Sequence, residues 1–209
     1  MTRVAIVDDQ NITRQFFSYC IKDSKDFKLV AALKDGEEAV RYCENEPVDM
    51  ILMDIVMVGG MNGLEAAKII KSKRPQIKII IITSMAEVSY IEKARDIGVD
   101  SFWYKELEEM PILSVMERTM NGESIYPDKT PELDIGNAKS SEFSQMELDI
   151  LREVTTGATN KEISEKLFVS PATVNYYIND LLTKTGYKNR VQLAVKARLE
   201  GLVISDDKE

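Results

Sequence analysis

Five side chains suited to act together fall at the ends of predicted strands. Asp8 and Asp9 follow the run Val4–Val7, and Asp54 follows Met50–Met53. Thr83 ends the run from Ile77 to Ile82, and Lys105 follows Ser101–Tyr104. Three carboxylates gathered in one place repel one another unless a cation neutralises them, and a hard divalent ion held through oxygen is the usual solution. Mg²⁺ keeps several waters and accepts few carboxylates plus a phosphate. With a hydroxyl and an ammonium alongside, such a cluster suits phosphoryl transfer to a carboxylate. Taken singly, Asp9 reads as a helix cap, Thr83 as a structural threonine and Lys105 as a solvated lysine. Together, at the ends of strands one, three, four and five, they point to one site.

For these residues to meet, the strands must share one parallel sheet. The first 120 residues support this, alternating short apolar runs with amphipathic segments near 10–23, 36–45, 63–73, 87–97 and 110–121. Runs that are apolar without alternation suit strands covered on both faces. Five β-α repeats predict a doubly wound α/β domain over 1–121, with its site beyond the carboxyl ends of the strands. Residues 122–141, with Pro127, Pro131, Gly136 and a Ser pair, read as a linker. From 142 to 209 the pattern is all helical. Ser144 with Glu147 forms a capping box, Gly157 ends that helix, and Asn160 starts the next. Ser170-Pro171 starts a third, Gly186 ends it, and a fourth runs from about Arg190 to Gly201.

The composition narrows the chemistry. Among 209 residues there is no histidine, which excludes His-based nucleophile activation and His-ligated metal sites. Cys20 and Cys43 fall in predicted helices without metal-ligand spacing, and no apolar run approaches a membrane span. Met1 leads almost at once into a strand, leaving no room for a signal peptide, so a reduced cytoplasmic protein is expected. The net charge of −8 is uneven: residues 155–199 carry seven basic residues against three acidic ones. A basic segment on an acidic chain suits an anion such as nucleic acid, and equally a solvated helix face.

The stretches V-D-D-Q at 7–10, M-D-I-V-M at 53–57, I-T-S at 82–84 and G-V-D-S-F-W-Y-K at 98–105 resemble the signature of response-regulator receiver domains. The resemblance implies a flavodoxin-like fold and a sensor histidine kinase as partner. It makes Asp54 the phosphoacceptor, and Asp8, Asp9, Asp54 and the Val56 carbonyl the Mg²⁺ ligands. Thr83 and Lys105 become phosphoryl-binding residues and Phe102 the switch aromatic. Relatives dimerise when phosphorylated. The only enzymatic activity implied is Mg²⁺-dependent self-phosphorylation and self-dephosphorylation of Asp54. One departure stands out: the family's loop reads D-x-x-M-P-G-M-x-G, whereas this chain reads D-I-V-M-V-G-G-M-N-G from Asp54 to Gly63. Val58 replaces the proline and a glycine is added, which predicts a looser loop. Val56 and Met85, two residues beyond Asp54 and Thr83, are apolar where a polar group would orient an attacking water. Slow self-dephosphorylation follows.

The C-terminal stretches G-A-T-N-K-E-I, L-F-V-S-P-A-T-V and K-N-R resemble the tetrahelical helix-turn-helix domain of the LuxR/NarL family. By resemblance, Asn175, Tyr176 and Asn179 face bases of double-stranded DNA. Asn160, Lys161, Ser170, Thr173, Lys184 and Arg190 complete the DNA-binding set, chiefly as phosphate contacts. Relatives place Lys where Asn175 stands. Asn pairs bidentately with adenine, so an A·T-leaning site is expected, arranged as an inverted repeat if the last helix pairs two domains. Two other readings remain. A phosphohydrolase with an aspartyl-phosphate intermediate would carry a second Asp at position 56, where Val stands. A phosphorylation-independent regulator would not need the complete acidic set.

Overall fold

Five largely apolar strands, β1 (Thr2–Val7), β2 (Phe27–Leu33), β3 (Met50–Met53), β4 (Lys78–Thr83) and β5 (Ser101–Tyr104), pair in parallel in the order β2-β1-β3-β4-β5. Between and after them run α1 (Asn11–Lys22), α2 (Gly36–Asn45), α3 (Gly63–Lys73), α4 (Ser89–Ile97) and α5 (Ile112–Met120). The computed structural model describes residues 1–58, 60–85, 89–105 and 110–203. Two units form, one within residues 1–129 and the other from Thr130 onward.

The central strands are buried on both faces, which is why their sequences do not alternate. Val4, Ile6, Met50, Leu52, Ile80 and Ile82 pack with Phe17 and Ile21 of α1 and Val115 and Met116 of α5. The alternate residues Ala5, Val7, Ile51, Met53, Ile79 and Ile81 are equally buried and by the period of two lie on the opposite face. Each isoleucine so enclosed contributes roughly 2 kcal/mol. The doubly wound fold expected from the sequence is the one observed. The predicted start of the fourth helix, at 87–88, lies outside the described residues.

The segment 122–141 differs from the linker reading. Its first part joins the sheet: the Phe102 N–H donates to the Ile125 carbonyl at 2.8 Å, and the Tyr126 hydroxyl donates to the Val99 carbonyl at 2.8 Å. Its later part forms a two-stranded hairpin, β6 (Asp134–Ile135) and β7 (Ala138–Lys139), whose Ile135 and Ala138 are buried in the second unit. The apolar residues at 125, 135 and 138 explain this, since each has a core to fill. The Pro and Gly residues that signalled a linker mark turns between these anchors.

The second unit is built on α6 (Gln145–Thr155), α7 (Asn160–Lys166), α8 (Pro171–Thr185) and α9 (Arg190–Leu199). Ser144, Thr159, Ser170 and Asn189 cap their helices by accepting from backbone N–H groups, and Pro171 opens α8. Ile150, Val154, Ile163, Val174 and Ile178 form one cluster, and Leu148, Leu151, Leu181, Leu193 and Ala197 another around Ile135. Between α7 and α8, Phe168 adopts φ 55° and is 94% exposed.

Lys184 of α8 reaches back to the start of α6, where its ammonium pairs with buried Glu147 and donates to the Glu142 carbonyl at 3.0 Å. Burial raises the Glu147 pKa, but the bonds from Lys184 and Ser144 outweigh it and hold the carboxyl below its ordinary value of 4.5. A depressed folded pKa gives stability that is present above 4.5 and lost as pH falls through the folded value. Lys184→Ala leaves a buried carboxylate without its cation and should destabilise the second unit by about 3 kcal/mol at neutral pH. Amide hydrogen exchange in α6 and α8 reads this. Protection unchanged in the variant, or unchanged in the wild type from neutral pH to pH 3, contradicts the assignment.

Candidate functional site

The order of strands reverses at β1 and β3, and in such sheets the crevice opens at that point. Backbone bonds pin the strand ends around it. The Asp54 N–H donates to the Val7 carbonyl at 2.8 Å, the Asp8 N–H to Leu33 at 3.1 Å, and the Lys105 N–H to Thr83 at 2.9 Å. Gly63, opening α3, lies so close that a Cβ there would meet the Asp54 carbonyl oxygen at 1.8 Å. No side chain larger than hydrogen fits, so the glycine lets α3 begin against the acceptor's own backbone.

Carboxylate oxygens of Asp8, Asp9 and Asp54 lie within 4.8 Å of one another. Lys105 Nζ bridges two of them, 2.8 Å from Asp8 Oδ2 and 3.0 Å from Asp54 Oδ2. Backbone donors take further oxygens: Gln10 N–H to Asp8 Oδ1 at 2.8 Å, Ile55 N–H to Asp54 Oδ1 at 2.8 Å, and Val58 N–H to Asp9 Oδ2 at 3.0 Å. Asp9 Oδ1 is buried with no hydrogen-bond partner. An unpaired anionic oxygen facing such a cluster is costly unless a cation meets it. The donor set therefore fits a hard divalent ion. Asp9 is not the helix cap of the plainer reading, since Gln10 occupies that position and makes no side-chain cap bond.

Burial pushes the Asp54 carboxyl up to about 6; Lys105 pulls it down and Asp8 adds to the rise. Burial lowers Lys105, but the Asp54 and Asp8 carboxylates more than offset this and hold it above its ordinary value. The site thus keeps a protonated amine beside a buried carboxyl. Thr83 is wholly buried at the end of β4, and Phe102 is 1% exposed, packed edge-on to Tyr104 at 5.1 Å. Val56 is half-buried in the loop after Asp54. The loop's predicted looseness concerns a stretch whose Gly59 lies outside the described residues.

The sequence reading missed two features. Glu37 of α2 accepts the Met61 N–H at 3.1 Å, holding the far end of the Asp54 loop. The N–H groups of Gln10, Ile55 and Val58 carry no side-chain signal; the only hint was that position 58 is not proline.

In the second unit, Val174, Ile178 and Leu181 of α8 face the core, which leaves Asn175, Tyr176 and Asn179 exposed on the other side. Lys161 is exposed in the first turn of α7. Thr173 and Ser170 share a hydroxyl contact of 2.8 Å at the start of α8. Arg190 donates to Asn160 Oδ1 at 2.5 Å and to the Ala158 carbonyl, so these two predicted contacts tie α9 to α7. Lys184 is engaged within the unit. It was expected at a DNA phosphate, but Glu147 and the Phe143 ring, 5.3 Å from its ammonium, hold it against α6. The buried acid that pairs with it lies 37 residues earlier, beyond the reach of local pattern.

Residues 4–117 match the response regulator receiver domain family, and residues 141–197 match the bacterial regulatory proteins of the luxR family. The chain is 30% identical over 206 residues to the response regulator protein VraR of Staphylococcus aureus (strain NCTC 8325 / PS 47), covering 96% of this chain and 98% of VraR. It is 29% identical over 212 residues to the transcriptional regulatory protein YxjL of Bacillus subtilis (strain 168), covering 96% and 97%. Among solved structures, RcsB of Salmonella enterica serovar Typhimurium, bound to promoter rprA with the phosphomimetic BeF3−, shares the fold at TM-score 0.60 and 20% identity, covering 97% of this chain and 100% of that one. A LuxR-family response regulator from Aurantimonas sp. SI85-9A1 aligns at TM-score 0.55 and 27% identity, covering 60% and 89%. The chain belongs to the two-component response regulators of the LuxR/NarL type, with a receiver domain followed by a luxR-family helix-turn-helix domain.

Proposed function

We propose that this chain is a phosphorylation-controlled transcription regulator of the cytoplasm. A sensor histidine kinase donates a phosphoryl group to Asp54, and the phosphorylated chain dimerises on promoter DNA. The observation that carries this reading is Lys105 bridging Asp8 and Asp54 while a buried oxygen of Asp9 lacks a partner. In the transfer, the P–N bond to the kinase histidine breaks as a P–O bond to the Asp54 carboxylate forms. Asp8, Asp9, Asp54 and the Val56 carbonyl would hold Mg²⁺, which would supply charge neutralisation there. Lys105 pairs with the phosphoryl oxygens, and the Thr83 hydroxyl turns to them. A groove of about 760 Å³, lined by Ile12, Phe16, Trp103, Met110 and Leu113, runs up to Lys105. Its apolar rim beside the acceptor suits the kinase, whose histidine must reach Asp54.

On α8, Asn175, Tyr176 and Asn179 read bases, and Lys161, Thr173 and Ser170 hold phosphates. RcsB, its fold relative, was captured on promoter DNA. On α9, Leu193 and Ala197 are buried whereas Val191, Val195 and Leu199 are 71%, 51% and 73% exposed. That stripe at spacings of four suits pairing with a second copy, and a two-fold pair reads an inverted repeat.

Incubation with a small phosphodonor and Mg²⁺ should add one phosphoryl mass to the intact chain and none to Asp54→Asn. Absence of the adduct on the wild type overturns the reading. With Val56 and Met85 apolar, the adduct should persist for minutes or longer; loss within seconds contradicts the expectation of slow hydrolysis. Unbiased DNA selection should return an A·T-leaning inverted repeat. Asn175→Ala should weaken binding to it by about 1–3 kcal/mol at fixed salt while leaving non-specific binding alone. A G·C-rich consensus contradicts the role given to Asn175.

A further inference from the structure

We infer that Val58 positions the metal ligand Asp9 through its backbone N–H. This rests on the reading of the acidic cluster as a Mg²⁺ site. The Val58 side chain is 84% exposed, so the residue contributes little to the core. Its N–H, by contrast, reaches from the loop after β3 to the end of β1 and donates to Asp9 Oδ2 at 3.0 Å. The other oxygen of the same carboxylate, Oδ1, is buried and unpartnered. One oxygen fixed by a donor orients the other, so the free oxygen is held ready for the ion and need not be ordered at binding.

The bond depends on residue type at the backbone level. A proline at 58 has no N–H and would leave Asp9 Oδ2 without this donor. The substitution that loosens the loop in one respect supplies a tie in another. A second tie secures the loop's far end, where Glu37 Oε1 accepts the Met61 N–H at 3.1 Å. Gly60, at φ 112°, passes close beside Glu37: a Cβ there would lie 2.6 Å from the same oxygen. Val58 and Met61 are thus each tied to a carboxylate, one that would bind the ion and one that would not.

Mg²⁺ titration of the full chain by calorimetry tests this. Val58→Pro should bind about tenfold more weakly than the wild type. Val58→Ala, which keeps the N–H, should bind within twofold of it. Val58→Pro equal to wild type, or Val58→Ala as weak as Val58→Pro, overturns the inference and leaves the metal site standing. A wild-type chain that takes up no Mg²⁺ overturns the metal reading itself. Should Val58→Pro lose its cooperative melt, replacing Val58 by its α-hydroxy acid, which removes only the N–H, decides: severalfold weaker Mg²⁺ binding supports the inference, and unchanged binding overturns it.

Discussion

Repulsion among three carboxylates at the ends of β1 and β3 is the constraint around which the receiver is arranged. Asp8 and Asp54 are almost fully buried, where water cannot screen them. One ammonium and three backbone donors hold the cluster together, and one buried oxygen remains over. Every element nearby serves that balance. The sheet order puts β1 beside β3, so the acids meet. Lys105 directly follows strand β5, so its ammonium arrives between them. Gly63 removes a side chain that would otherwise push α3 away from Asp54. With protein groups alone facing it, burial and the Asp8 carboxylate push the Asp54 carboxyl up to about 6, against the pull of Lys105.

The helical unit solves a different problem, the presentation of one face of α8 while both of its ends are held. Ser170 caps the start and Gly186, in the left-handed conformation, closes the end. The Asn137 N–H of the hairpin turn donates to the Thr185 carbonyl at 2.9 Å, and Gly136 approaches so closely that a Cβ would meet that same oxygen at 2.1 Å. The hairpin thus satisfies carbonyls that a helix terminus leaves orphaned. Lys184, one residue earlier, is spent on Glu147. The far end of α8 is devoted to packing and its first turns to exposure.

How far the sequence revealed this depends on the range of each signal. Strands and helices of the receiver were readable because an apolar run or a 3.6-residue period is local. Asp8, Asp9, Asp54, Thr83 and Lys105 were readable because each sits directly after such a run. What escaped is non-local or lies in the backbone. Nothing in residues 122–141 states that Ile125 extends the edge of β5 or that Ile135 fills a helical core. Lys184 was assigned by resemblance to a DNA phosphate, and its pairing with the buried Glu147 has no local signal. The donors from Gln10, Ile55 and Val58 belong to the chain itself and have no letter in the sequence.

The corrected boundary changes what joins the two units. Tyr126 is the last residue tied to the receiver: its ring packs 6.2 Å from Phe102 and 4.7 Å from the Arg95 guanidinium, and burial pushes its hydroxyl up to about 12. Glu132 and Leu133 are the first tied in the second unit, to Ser141 at 2.8 Å and Ser140 at 2.9 Å. Between these anchors lie only residues 127–131, which begin and end with proline and extend at most about 17 Å. The proline at each end fixes φ at those two positions only. The stretch starts beside Phe102, three residues before the lysine that holds Asp54. The connection to the helical unit therefore leaves the receiver from the strand that completes the acidic pocket.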